Sequence, residues 1–160
     1  MKLENGEKTI GMLIDYVVSE ESSDKDKLLT ELLSIRDRMS RDPRVVVEEV
    51  LDACGVPANI LGYDYIVSCV LVLLEHPEFK GSVMKSVYPV VAKNHRSTVA
   101  RVERCVRHAV QTTFARFSVN RVEVLGESWC SYFNNSAPTN TEFIYKVLAV
   151  TRRQMGVVYA

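Results

Sequence analysis

Residues 96–117 read RSTVARVERCVRHAVQTTFARF, and the periodicity of this stretch decides the fold. Val99, Val102, Val106, Ala109, Val110, Thr113 and Phe114 recur at three- and four-residue steps. That repeat keeps side chains on one face of an α-helix and assigns the face to a core. Arg101, Arg104, His108 and Gln111 recur on the other side, so long hydrogen-bond donors project together from a rigid rod, beginning in its first turns. An amphipathic helix with arginines outside is, taken alone, only a solvated helix. Its surroundings make this one more specific.

Upstream, GSVMKSVYPVVAKNH (residues 81–95) carries a second helical pattern over residues 82–92, followed by a short polar break at residues 93–96. Ser97 or Thr98 is placed to cap the next helix. A helix, a tight break and a second helix that opens with Ser/Thr and then arginines predicts a helix-turn-helix, with its second helix in the major groove of double-stranded DNA. An arginine there can pair bidentately with guanine N7 and O6, worth about 1–3 kcal/mol of discrimination against the wrong base. Lys93, Ser97 and Thr98 fall near the path of the phosphates. Glu103 interrupts the cations with two roles open to it: accepting from cytosine N4, or pairing with Arg107 one turn on. Charge supports a polyanionic partner. Residues 80–116 hold eight Lys and Arg against Glu103 alone, a balance of +7 before histidine, while the whole chain is formally neutral and its remainder sums to −7. Such asymmetry is an electrostatic footprint even when the net charge is unremarkable.

From Asp52 to about Arg153 the chain resembles the C-terminal DNA-binding domain of the stage-zero sporulation protein A family, regulators that commit endospore-forming bacteria to sporulation. Four motifs in the family's order carry the resemblance: GVPANILGYDY (55–65), GSVMKSVYPVVAKNH (81–95), RVERCVRHAV (101–110) and PTNTEFI (138–144). It implies a compact all-α domain of about six helices that binds direct-repeat operator boxes of TGTCGAA type. It also implies base reading by Arg101, Glu103 and Arg104, with Arg107 and His108 nearer the DNA backbone. A homodimer on tandem sites follows from the repeated boxes.

The chain also departs from the family pattern. Ala100 stands where a small hydroxyl residue is usual, and Phe117 replaces a common helix-ending glycine. Residues 118–137 (SVNRVEVLGESWCSYFNNSA) follow only loosely the family segment that meets the RNA polymerase sigma subunit. Family members carry an N-terminal receiver of over a hundred residues, whereas some fifty residues precede Asp52 here, too few for one. The run GMLIDYVV (11–18) ends apolar residues on Asp15 as a phospho-acceptor strand does, yet no acidic pair precedes it and no Met-Pro follows. The expectation is therefore a regulator not gated by its own receiver phosphorylation.

The domain reading is a helical N-terminal extension over residues 1–42 and a helix-turn-helix domain over 43–155. Residues 9–18 are apolar without deciding between helix and strand. Residues 24–40 place Leu28, Leu29, Leu32, Leu33, Ile35 and Met39 mostly on one helical face. That stretch is too short for a free coiled coil, which favours packing on the main domain over dimerisation. Further helices are expected at 43–53, stopped by Gly55, at 63–74, ended by His76-Pro77, and at 140–153. The last starts with capping-box spacing at Thr139 and Glu142.

The remaining residues exclude other classes. Cys54, Cys69, Cys105 and Cys130 are widely spaced, with no CxxC or Cys/His cluster, so no metal and no disulfide framework are expected. His76, His95 and His108 are scattered, with no carboxylate pair or nucleophile elbow, so no catalytic residue, no enzyme and no cofactor are expected. Trp129 reads as a packing anchor in a loop-rich segment. MKLENGEK is no signal peptide and IVSCVLVLL (66–74) is too short to span a bilayer, which predicts a cytoplasmic protein with no membrane partner. The competing reading is a protein-interaction module that pairs with a full-length regulator or with polymerase without operating a promoter.

Overall fold

The computed structural model describes residues 2–19, 24–116, 118–133 and 136–156. Among these residues every regular element is helical, as the resemblance implied. The chain forms two compact units, one of Met1–Asp42 with Arg152–Ala160 and one of Pro43–Thr151.

In the first unit α1 (Lys2–Ser19) and α2 (Lys25–Met39) pack against each other. The undecided run 9–18 is thus helix, and Asp15 lies exposed on it rather than at the end of a strand. The two helices approach closely at Gly6, where a Cβ would lie 2.5 Å from Met39 Cε. Val17 is buried, while α2 buries no residue fully.

The second unit is built around α4 (Leu61–Glu75), whose Tyr65, Ile66, Val67, Cys69, Val70 and Leu73 are buried. It packs against α3 (Pro43–Cys54), α5 (Tyr88–Asn94) and α6 (Val99–Phe114). Helix α4 begins two residues before the start expected at 63, so Gly62 lies inside its first turn. A Cβ there would meet Cys105 O at 2.2 Å and Ala109 Cβ at 2.7 Å. Its role is therefore close approach of α4 to α6, which only a residue without a side chain permits. Tyr63 ties α4 to α3 by donating its hydroxyl to Asp52 Oδ1 at 2.8 Å. Burial, helped by that carboxylate, pushes its phenol up from the ordinary value.

Helix α3 ends in a Schellman turn. Gly55, at φ +78°, sits where a left-handed residue is needed, and Val56 N donates back to Leu51 O at 3.0 Å. The single helix expected over 82–92 is instead a π-helical turn (Val83–Val87) running into α5. Pro89 supplies the reason, because it has no N–H to give to Lys85 O and its ring crowds that carbonyl. The ladder widens, and Tyr88 N donates to Val83 O five residues back.

Residues 118–133, expected to be loop-rich, hold two short helices, α7 (Val119–Leu125) and α8 (Glu127–Tyr132). Trp129 is half-buried there, with its ring 6.1 Å from Phe114 and 4.8 Å from Phe133. Helix α9 (Asn140–Gln154) begins with the expected capping box: Thr139 N donates to Glu142 Oε2 at 2.8 Å, and Glu142 N to Thr139 Oγ1 at 3.2 Å. Its Phe143, Ile144, Val147 and Leu148 complete the core. No described helix is long and apolar enough to cross a membrane.

Candidate nucleic-acid interface

Two helices and the turn between them build this surface. Helix α5 closes in a second Schellman turn: Ser97 N donates to Ala92 O at 2.8 Å and Arg96 N to Lys93 O at 3.2 Å. The left-handed position is held by Arg96, the only non-glycine with positive φ (+50°) among the described residues. Of the two capping residues expected, Thr98 takes the part: its Oγ1 accepts from Arg101 N at 3.2 Å. Ser97 instead accepts from the Tyr65 hydroxyl at 3.2 Å, which fastens the turn to α4. His95 does the same, with Nε2 2.7 Å from Ser68 Oγ and its ring edge-on to Tyr65.

The seam of α6 is sealed, with Val102, Val106, Ala109 and Val110 at 0–1% exposure. Each of the three valines withdrawn from water stabilises the helix in place by about 1.5–3 kcal/mol. The orientation of the other face is thereby set. Arg101, Arg104, Arg107, His108 and Gln111 are exposed on it, and Lys93 and Thr98 are exposed at the turn, with Ser97 half-buried. Of Glu103's two possible partners, the protein itself supplies Arg107. The guanidinium donates from both Nε, at 3.1 Å, and Nη2, and both bonds fall on Glu103 Oε1. This hydrogen bonding raises the Arg107 pKa further.

Three positioning residues carried no periodic signal in the sequence, although Tyr65 and Asn140 fall within the motifs 55–65 and 138–144. Asn140, the first residue of α9, donates through Nδ2 to Glu103 O at 3.0 Å and to the Tyr88 hydroxyl at 3.2 Å. It therefore joins α9, α6 and α5 at the middle of the cationic face. Arg121, buried on α7, donates to the carbonyls of Thr113 and Arg116 and lies 4.5 Å over the Phe114 ring. It satisfies carbonyls at the α6 C-terminus, where a cation also suits the helix dipole. Helix α6 accordingly stops at Phe114; Phe117, the residue that replaces the usual glycine, lies outside the described residues. Tyr65 anchors the turn. None of the three belongs to a periodic pattern, so only their contacts reveal them.

Among the described residues no group of His, Cys, Asp and Glu is arranged to hold a metal ion. The four cysteines are free thiols. The outward face of α6 is thus cationic and exposed, and its other face packs against α4.

The family model described as sporulation initiation factor Spo0A C terminal matches residues 47–150. That span holds the turn, the whole of α6 and its supports on α4, α7 and α9. The chain therefore belongs to the Spo0A C-terminal family, whose members are the DNA-binding domains of sporulation transcription factors and not enzymes.

Proposed function

We propose that this protein recognises TGTCGAA-type operator boxes as a sequence-specific transcriptional regulator, with α6 in the major groove. The exposed Arg101–Arg104 pair on a helix whose opposite face buries Val102, Val106, Ala109 and Val110 carries the reading. Arg101 and Arg104 read guanine edges. Glu103 holds Arg107 through Oε1 and offers Oε2 to cytosine N4. Lys93 and Arg107 neutralise phosphates, His108 donates to one, and the Ser97 and Thr98 hydroxyls, which accept from Tyr65 and from Arg101 N, each keep a proton to donate to a phosphate oxygen.

Binding in this reading is not gated by phosphorylation of the chain's own N-terminal unit. The support is that Asp15, the one acid there with a strand-like context in sequence, sits exposed on a helix. Contact with the polymerase sigma subunit belongs to the same proposal. It is supported by Val119 and Tyr132, which stand 60% and 81% exposed on α7 and α8. Should those residues be the main contact, the protein is an interaction module and its cationic helix is idle.

Fluorescence anisotropy against a TGTCGAA duplex and a scrambled duplex, at two salt concentrations, tests the proposal. Arg104→Ala removes a base contact and should cost about 1–3 kcal/mol on the cognate duplex alone, collapsing discrimination. Lys93→Ala should weaken both duplexes alike and reduce the slope of log K against log salt by about 0.9. Equal losses for both variants on both duplexes would refute this division of labour. No retardation of any DNA at low salt, with recovery of a full-length relative in a pull-down, would favour the interaction module.

A further inference from the structure

Helix α1 has three faces of different character. Ile10, Ile14 and Val17, at four- and three-residue steps, turn inward: Val17 is 7% exposed and the two isoleucines are half-buried. Glu7, Lys8, Gly11 and Asp15 make a polar face. The third face is Thr9, Met12, Leu13 and Tyr16, spaced i, i+3, i+4 and i+7, a single stripe on a helix of 3.6 residues per turn. It bears no charge, yet Met12 is 71%, Leu13 45% and Tyr16 63% exposed. Ordinary solvated helices do not place methionine, leucine and tyrosine together in water.

We propose that this stripe is a self-association surface, on which α1 of a second copy of the chain packs antiparallel about a twofold axis near Met12 and Leu13. Two observations select that occupant. The first is burial. The unit of Met1–Asp42 with Arg152–Ala160 buries, among its described residues, only Val17 and Met155, and a unit so small is marginal on its own core. Two α1–α2 hairpins joined through their open stripes make a four-helix arrangement, with a core between the pairs. The second is charge. Lys8 and Asp15 are seven residues apart, so they flank the stripe on the same side, with opposite sign. In an antiparallel pair each Lys8 faces the partner's Asp15, and each Asp15 the partner's Lys8. In a parallel pair the charged flanks of the two copies would lie on opposite sides of the contact and could not meet. A twofold contact must be self-complementary, and this stripe is.

The association needs no DNA and does not rest on the operator reading. Two DNA-binding units held by one bundle would let the chain engage two boxes at once, with the avidity of a linked pair.

Sedimentation of the full chain without DNA, over a concentration series, tests the proposal. The expected result is a monomer–dimer equilibrium. Lys8→Asp or Asp15→Lys turns two reciprocal attractions into repulsions and should weaken the dimer by roughly tenfold. The double exchange Lys8→Asp with Asp15→Lys restores complementarity and should recover most of that loss. Tyr16→Glu should dissociate the dimer while far-ultraviolet circular dichroism stays helical. The proposal is overturned if the wild-type chain is monomeric at every concentration, or if the double exchange is no better than either single one. A monomer whose melting temperature falls with Tyr16→Glu would mean that the stripe is covered within the same chain, which overturns it too.

Discussion

The two Schellman turns hold different residues at the same left-handed position: Gly55 at φ +78° after α3 and Arg96 at φ +50° after α5. An L-residue with a Cβ costs roughly 1–2 kcal/mol there. Replacing it by glycine gives back part of that as freedom of the unfolded chain, about 0.4–1 kcal/mol. Arg96→Gly should therefore stabilise the protein by about 0.5–1 kcal/mol net, read as a rise in melting temperature. A fall would mean that the Arg96 side chain makes a stabilising contact in solution. The turn was legible in the sequence as a polar break. That an arginine bears its strain was not, because φ depends on the register of both flanking helices.

At the scale of elements, α6 was the most legible part of the chain, since one strong period assigned its core face and its outward face together. The α9 capping box was equally plain. Other features depended on partners distant in sequence. The π-helical turn depends on where Pro89 falls in a helix that the pattern presents as continuous. The character of α1 was undecided because residues 9–18 are apolar on two helical faces, which blurs the helical period. Gly62, just ahead of the helix expected at 63–74, stands at the α4–α6 crossing. Gly62→Ala puts a methyl group into the Cys105 carbonyl, and backbone cannot yield as a flexible side chain does. We expect a loss of about 1–3 kcal/mol in chemical denaturation, with weaker DNA binding as α6 shifts. An unchanged midpoint would show that the two helices can separate without cost.

For the whole molecule, the cationic surface is small and the apparatus that holds it is large. Tyr65, Asn140 and Arg121 reach α6 or its turn from three helices. The candidate site was thus half legible: the residues that face outward follow a period, and those that position them do not. Core chemistry gives a further test. Burial pushes the Cys54 thiol from its usual 9.0 up to about 12, and raises that of Cys69 as well. Thiolate is the reactive form, so both cysteines should resist alkylation in the native state at pH 8 and react once the chain is denatured. Rapid native labelling at either position would contradict the packing. The same shifts set a direction for stability. Below about pH 9 both thiols are protonated, folded or unfolded, and contribute no pH dependence. Above it the unfolded chain releases protons that the folded chain retains, so stability falls as pH rises toward 12.

The bond from Asn140 to the backbone of Glu103 also has a meaning in time. Ribosomes deliver α6 some forty residues before α9 closes over it. Until then the middle of α6 lacks its tie to the last helix of the core, and a nascent chain presents an arginine-rich helix supported by α4 and α5 alone. On the proposed function, competence to discriminate among sequences arrives late in synthesis, with Asn140 and the helix it begins. A polypeptide released early would then carry the positive charge without the selectivity.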